Sequence, residues 1–446
     1  MLGASSPHSL EMHPGMPSAL GQMQPGHHLT LLQGGGEFFP ALVEAMDAAR
    51  ELVHLETYIF EFAGGAIGVA EAMIRAARRG VEVRLVIDGV GSPSVPPEWR
   101  ARLNAAGVLW THYAPLGRLG LLIPSRWRRL HRKLCVVDGE VGFCGGINII
   151  DDRDDVALGH LKEPRLDYSL RVTGPLVTDM AAGMEQLWWR MQVVRRIRRR
   201  EFRAAWGVVQ GDGSSPDLKK LFSRKDSEKK SSGIPAAGEG GSWVNSSAAE
   251  LRAVDDASAA LVLRDNVGHR ADIEKAYLKA IGEARQSILI ANAYFVPGRR
   301  LRKALIMARQ RGVSVRLLLQ GKYENFFQYH AARPVYNSLT LAGIELFEYE
   351  PSALHAKVAV VDQRWATVGS TNLDPLSLLL AREANVMTTD PRFAQLLFAS
   401  LENEIEHASR KLDAKVLAAR PWRQRAFDRI AFALMRTLLF LTGHRY

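Results

Sequence analysis

Two stretches of this sequence repeat one pattern of reactive side chains. HRKLCVVDGEVGFCGGIN carries His131, Lys133, Asp138, Gly145 and Asn148, and HAKVAVVDQRWATVGSTN carries His355, Lys357, Asp362, Gly369 and Asn372. Both read H-x-K-x4-D-x6-G-x2-N. Side chains alternate along a strand, so a His and a Lys two residues apart share one face. A phosphodiester under displacement gathers negative charge on its equatorial oxygens, and a site that cleaves it needs fixed cations and amide donors aimed there. Lys133, Lys357, Asn148 and Asn372 supply such groups. The reaction also needs a nucleophile and a proton donor for the departing alkoxide, and imidazole, titrating near neutrality, serves in either role. One histidine from each copy completes the pair.

A single H-x-K on a strand is more often a half-exposed edge than a site. A second copy at identical spacing argues for chemistry. Zinc is the competing use of histidine, but a protonated lysine is a poor metal ligand and neither copy shows paired His/Cys spacing. No metal and no cofactor are expected.

The framework around the motifs is itself duplicated. RGVEVRLVIDG at 79–89 matches RGVSVRLLLQG at 311–321, and AAGVLWTHYAP at 105–115 matches LAGIELFEYEP at 341–351. Each half opens on an apolar strand, LVHLETYIF at 52–60 or SILIANAYF at 287–295, then passes through an Ala/Arg-rich segment of helical period to the RGV strand. Such β-α-β units, followed by further strands, predict an α/β fold in which a mixed β-sheet is flanked by helices. From Gly207 to Glu250, 16 of 44 residues are Gly or Ser, the composition of a flexible linker. The expected organisation is a disordered leader at 1–28, an N-terminal domain at 29–206, the linker at 207–250, a C-terminal domain at 251–412 and an amphipathic basic tail at 413–446.

Composition bounds the partners. A chain of 446 residues with 47% apolar and 24% charged residues has enough core for two domains and is not wholly disordered, collagen-like or coiled-coil. Its net charge of +11 favours polyanions: nucleic acid, an anionic membrane face or phosphate-bearing substrates. Cys135 and Cys144 make no disulfide framework, and a reducing compartment fits them. The N-terminal residues lack the basic and apolar regions of a secretory signal. No apolar run reaches the roughly 20 residues of a spanning helix; Ile430 to Leu441 is shorter and contains Arg436.

On these motifs the chain resembles the phospholipase D superfamily, whose members cleave and transfer phosphodiesters through a phosphohistidine without a metal. The resemblance covers about 29–206 and 251–410. More narrowly, RLHRKLCVVDGEVGFCGGIN with the later DYSLRVTGPLV, and HAKVAVVDQRWATVGSTNLDPLSLLLAREANV, resemble the bacterial cardiolipin synthases of type B. Gly146 stands where the superfamily usually has serine, as Ser370 does in the second copy; the type B enzymes share that Gly–Gly reading. The resemblance implies two phospholipase D-like domains packed as a pseudo-dimer, with the active site at their interface. Its catalytic set is His131, Lys133, Asp138, His355, Lys357 and Asp362, the two aspartates supporting lysine, backbone or partner-motif groups. Asn148 and Asn372 bind the substrate phosphate. A carboxylate beyond each motif orients an imidazole, and by resemblance these are Asp167 in DYSLRV and Glu383 in REANV.

The reaction so implied is phosphatidyl transfer between two phosphatidylglycerol molecules, giving cardiolipin and glycerol, with His131 as nucleophile and His355 as acid and base. A phospholipase D or nuclease of the superfamily, using water as acceptor, is the rival reading. A non-catalytic scaffold is another, against which two complete motifs argue.

Three segments mix basic and apolar residues. MEQLWWRMQVVRRIRRREFRAAW holds seven Arg and one Glu between Arg190 and Arg203, beside Trp188, Trp189 and Trp206; near an anionic surface each basic residue contributes about 1 kcal/mol. GRLGLLIPSRWRRLHRK precedes and includes His131. The tail RPWRQRAFDRIAFALMRTLLFLTGHRY sets Arg423, Arg425, Arg429 and Arg436 among large apolar residues, as in a helix lying in an interface. A solvated helix face and a C-terminal helix docked on the core are the competing readings of the first and last. The expectation is peripheral contact with the cell inner membrane, phosphatidylglycerol as lipid partner and no nucleic acid. A protein partner is not legible.

Overall fold

The computed structural model describes residues 21–117, 127–156, 158–198, 252–265, 268–322, 326–413 and 421–441. The linker read at 207–250 lies outside them, as do leader residues 1–20 and loop residues 118–126. The chain divides into Met1–Met180 with Ser246–Tyr446, which holds both motifs, and a smaller unit, Ala181–Asn245.

The first half runs β1 (Gln24–Gln33), α1 (Gly35–Ala48), β2 (Leu52–Thr57), α2 (Ile67–Arg78), β3 (Glu82–Asp88), α3 (Pro97–Ala106), β4 (Leu109–Tyr113), β5 (Arg129–Leu130), β6 (Lys133–Val137), β7 (Val141–Gly145), β8 (Asp154–Asp155), β9 (Gly159–His160), β10 (Tyr168–Thr173) and α4 (Leu176–Arg198). The second runs β11 (Ala253–Arg264), α5 (Asp272–Glu283), β12 (Ser287–Asn292), α6 (Arg299–Gln310), β13 (Ser314–Gln320), α7 (Phe326–Leu341), β14 (Glu345–Tyr349), β15 (Lys357–Val361), β16 (Trp365–Gly369), α8 (Pro375–Leu379), β17 (Ala381–Thr388), α9 (Pro391–Ala408), β18 (Ser409–Lys411) and α10 (Trp422–Leu441).

One sheet carries both halves. Its order is β4, β3, β2, β6, β7, β10, β1, then β11, β17, β16, β15, β12, β13, β14 and β18. The order reads the same outward from the antiparallel β1–β11 seam in both directions until β18, so the duplication is visible as pseudo-twofold topology. Parallel pairing joins β2 to β3 to β4 and β12 to β13 to β14, and the motif strands β6 and β15 run antiparallel to β2 and β12. Lys133–Val137 and Lys357–Val361 are buried at every residue. Both faces of these strands are covered, which is why the sequence there reads as unbroken apolar runs rather than alternation.

Each half has its own core. Phe38, Leu42 and Met46 of α1, with Val69 and Met73 of α2, pack on Leu85 and Phe143. Ile273 and Tyr277 of α5, with Leu305 of α6, pack on Ile288, Leu317 and Leu346. The Ala-rich α2 buries Ala70, Ala72 and Ala76 as well, small residues that let the helix lie close to its neighbours.

Two boundaries differ from those read in the sequence. The leader read at 1–28 ends inside a strand, because β1 begins at Gln24 and pairs with β10 on one side and β11 on the other. QPGHH has no strand signature, and its pairing with β11 shifts register between Gln24 and His27 and again before Leu29. Pairing with β11 at Gln24 and His27, joined by β10 from His28, holds it extended despite its composition. The tail, read at 413–446 as a basic interfacial segment, forms α10, one face of which is docked: Asp428 and Ala431 are buried, and Asp428 Oδ1 lies 2.6 Å from His330 Nδ1 of α7. Phe427, beside the docked face, Ile430 and Leu434 remain exposed. No helix among the described residues is long and apolar enough to cross a membrane.

Candidate active site

The halves meet over the two motifs by exchanging backbone and side-chain contacts. Residue His131 lies between β5 and β6, and its N–H donates to the Arg382 carbonyl on β17, 3.0 Å away. His355 just precedes β15, and its N–H donates to the Leu166 carbonyl at 2.8 Å. Each histidine is therefore docked on the segment of the other half that carries the carboxylate. Nδ1 of His131 lies 2.9 and 3.1 Å from the two oxygens of Glu383. Nδ1 of His355 lies 2.6 Å from Asp167 Oδ2. Both carboxylates belong to the opposite half from the imidazole they hold, a crossing that the linear order of the motifs does not reveal.

The lysines sit one strand step on. Lys133 Nζ donates to the His131 carbonyl at 2.7 Å, and Lys357 Nζ to the His355 carbonyl. Both are buried. Asn148 and Asn372 are buried too. The Asn148 Oδ1 accepts from the Ile59 N–H at 3.2 Å, whereas Asn372 Oδ1 has no hydrogen-bond partner. With Nδ1 of each ring facing a carboxylate, Nε2 is the nitrogen left for chemistry, and both lysines are near enough to act on each imidazole electrostatically.

The two carboxylates differ in support. Ser370 Oγ donates to Glu383 Oε2 at 2.5 Å. At the matching position of the first half, Gly146 has no hydroxyl, and a Cβ there would collide with Asp167 Oδ1. Asp167 accepts instead from its neighbour's amide, Tyr168 N–H at 2.8 Å. Burial pushes Asp167 up to about 7, lysines and Arg165 only partly opposing it. Burial would raise Glu383 also, but His131, Lys133 and the Ser370 hydroxyl outweigh it and the carboxyl ends below its ordinary value. Both histidines are lowered, chiefly by burial: His131 with Glu383 pulling back, and His355 well below the usual range with Lys357 and Arg165 adding to the effect. Burial, with Lys357 beside it, brings Lys133 down to about 7.

Asp138 and Asp362, counted with the catalytic set in the sequence, are placed elsewhere. They follow β6 and β15, about 16 Å of strand beyond the lysines. Asp138 accepts from the N–H groups of Arg50, Glu51 and Leu52 at 2.8–2.9 Å. Asp362 accepts from Arg285, Gln286 and Ser287 at 2.7–2.8 Å. Both adopt positive φ, 53° and 51°. The motif aspartate is a backbone clamp that starts β2 or β12 beside the motif strand; of the supporting roles expected for it, that to the backbone is the one seen. Cys135 and Cys144 are buried free thiols on neighbouring strands. Among the described residues no group of three or more His, Cys, Asp or Glu is arranged to hold a metal ion.

Sequence reasoning missed two contacts. The hydroxyl of Ser370 acts on His131 through Glu383, for which the Gly-Ser dipeptide was the available signal. Tyr58 packs its ring edge-on to His131, with centroids 5.1 Å apart, and nothing in LETYIF distinguished it from a core aromatic.

Known proteins resemble this chain in sequence and in fold. Residues 42–153 and 277–405 match the family model described as cardiolipin synthase, PLD-like domain. The chain is 35% identical over 419 residues to cardiolipin synthase B of Salmonella typhi, covering 94% of this chain and 90% of that one. It is 34% identical over 418 residues, with the same coverage, to cardiolipin synthase B of Escherichia coli K12. Among solved structures, a phosphatidylserine synthase of Haemophilus influenzae Rd KW20 shares the fold, with a TM-score of 0.59 at 13% identity over 93% of both chains. Duplicated motifs, one pseudo-symmetric sheet and these relatives lead to one conclusion: the chain belongs to the family of cardiolipin synthases with PLD-like domains.

Proposed function

We propose that the protein transfers a phosphatidyl group from one phosphatidylglycerol to another, releasing glycerol and forming cardiolipin. The observation that carries this reading is the pair of crossed dyads, His131–Glu383 and His355–Asp167, flanked by Lys133 and Lys357. Its close relatives bear the name cardiolipin synthase.

The dyads suit different roles. Glu383 is held ionised and His131 neutral, so His131 Nε2 presents a lone pair: the nucleophile. Asp167 retains a proton to about pH 7, so the His355 dyad carries one exchangeable proton at neutrality: the acid. Nε2 of His131 attacks phosphorus, the bond to the glycerol oxygen breaks, and His355 delivers the proton to that oxygen. His355 then takes the proton from the hydroxyl of a second phosphatidylglycerol, whose oxygen displaces His131. Glu383 stabilises the imidazolium character of His131 in both steps. Lys133, Lys357, Asn148 and Asn372 face the equatorial oxygens, and an arriving anion restores the charge that burial has weakened on Lys133.

The protein meets its lipid peripherally at a membrane surface. The exposed apolar face of α10, with Arg423, Arg425 and Arg429 exposed on the same helix, supports that reading. Incubating the purified protein with labelled phosphatidylglycerol vesicles tests the function: cardiolipin and glycerol are the expected products by mass spectrometry. Phosphatidic acid without cardiolipin would make water the acceptor and the protein a hydrolase.

A further inference from the structure

The halves give their histidines different neighbours. Across β2 and β6, Glu56 opposes Leu134, so the next residue on β2, Thr57, stands opposite Lys133. Across β12 and β15, Asn292 opposes Lys357. Tyr58 and Ala293 are therefore the same position in the two halves. In the first half the Tyr58 ring meets the His131 ring edge-on, inclined at 62°, and Lys133 Nζ lies 5.6 Å from the Tyr58 centroid. In the second half a buried alanine takes that place, and among the described residues His355 makes no aromatic contact.

Tyr58 is also held in place. The Ser92 hydroxyl donates to the Tyr58 carbonyl at 3.2 Å and accepts from the Phe60 N–H at 2.7 Å. Gly91 lies directly on the tyrosine, where an added Cβ would come within 2.9 Å of its Cγ. Asp88 ties this turn to the motif: its carboxylate accepts from Val90 and Gly91 N–H and from the N–H of Leu130, the residue before His131. One turn thus fixes the aromatic ring and the approach to His131 together.

We infer that Tyr58 is a positioning residue of the His131 half-site, holding that imidazole and the Lys133 ammonium in register for attack on phosphorus, with no counterpart at His355. A ring edge limits rotation of the imidazole, and a π face attracts the ammonium without neutralising it. Attack needs Nε2 in line with the leaving oxygen, and misplacement by 1 Å costs on the order of 10²-fold. The His355 half moves only a proton and tolerates a looser wall. The inference rests on the proposed transfer with His131 as nucleophile.

The test uses the full-length protein and phosphatidyl-p-nitrophenol, whose leaving group departs as p-nitrophenolate without a proton. The P–O bond to nitrophenol breaks, the P–N bond to His131 forms, and intact-protein mass spectrometry reads the adduct. In a His355→Ala background, Tyr58→Phe should form the adduct within about 3-fold of the parent rate. Tyr58→Leu should slow it by about 10- to 100-fold with the half-saturating lipid concentration unchanged. Tyr58→Met, an unbranched and adaptable chain without a π face, serves if the leucine variant does not fold, and should behave as leucine does. Parental adduct rates in the leucine or methionine variant, or a loss confined to lipid affinity, overturn the inference. So does a loss in Tyr58→Phe equal to that in Tyr58→Leu, which would assign the role to the hydroxyl. An adduct on His131 in a protein that makes no cardiolipin would defeat the acceptor reading and leave this one standing.

Discussion

The carboxylates at the two histidines keep different protons, and pH separates their roles. The His355–Asp167 dyad holds its proton up to about pH 7 because burial raises Asp167 above its ordinary value. The acid form is present below that pH and lost above it, so transfer from phosphatidylglycerol should fall as pH climbs past about 7. The pH–rate profile with phosphatidyl-p-nitrophenol, which needs no proton on departure, should fall less, since only the lowered Lys133 still titrates there. Equal profiles for the two donors would remove His355 from the acid role. At Asp138 the expectation is of another kind. Asp138→Ala removes the acceptor of three backbone amides and should cost about 1–3 kcal/mol of stability, while activity per folded molecule stays within a few-fold of the parent; melting curves and kinetics on the same samples check it. The H-x-K spacing pairs each lysine with the histidine whose carbonyl it reaches in the structure. It did not show that the motif aspartate points to backbone, because a fixed residue in a pattern carries no record of which partner it serves.

Among the elements, α10 fits the docked reading of its segment and leaves the interfacial one to experiment. Its polar edge docks through Asp428 on His330, and Phe427 packs edge-on to that same ring at 4.8 Å. Ile430 and Leu434, four residues apart and on one face, remain exposed. Ile430→Asp with Leu434→Asp should release the protein from phosphatidylglycerol vesicles in co-sedimentation while the melting temperature moves by no more than about 2 °C, since exposed positions contribute little to stability. Undiminished co-sedimentation would leave α10 a purely structural helix. Basic-apolar alternation announced the helix, and only its packing on α7 showed which apolar residues are left over.

For the whole molecule, the crossing of carboxylates makes neither motif complete in its own half. Asp167→Asn should lower transfer by about 10²- to 10⁴-fold, as expected when an imidazole loses the group that fixes its tautomer. In a His355→Ala background the same change should add almost nothing. This double-mutant cycle couples residues 188 apart in sequence. Additive losses for Asp167 and His355 would mean that they do not act as one unit.

What the sequence determined by itself was local and periodic: the duplicated strands, the β-α-β order, the two H-x-K faces and the chemistry those side chains can do. The family's REANV and DYSLRV segments located Glu383 and Asp167, but assigned neither to a particular histidine. Tertiary structure alone decided that each carboxylate crosses to the other half, that β1 begins within an apparently unstructured leader, and that Tyr58 attends one histidine only. The physical reason is common to all three. Spacing along a chain fixes which residues share a face, whereas pairing across the β1–β11 seam, contacts between halves and the meeting of Tyr58 with His131 all depend on partners distant in sequence, whose free energy of burial no local pattern encodes.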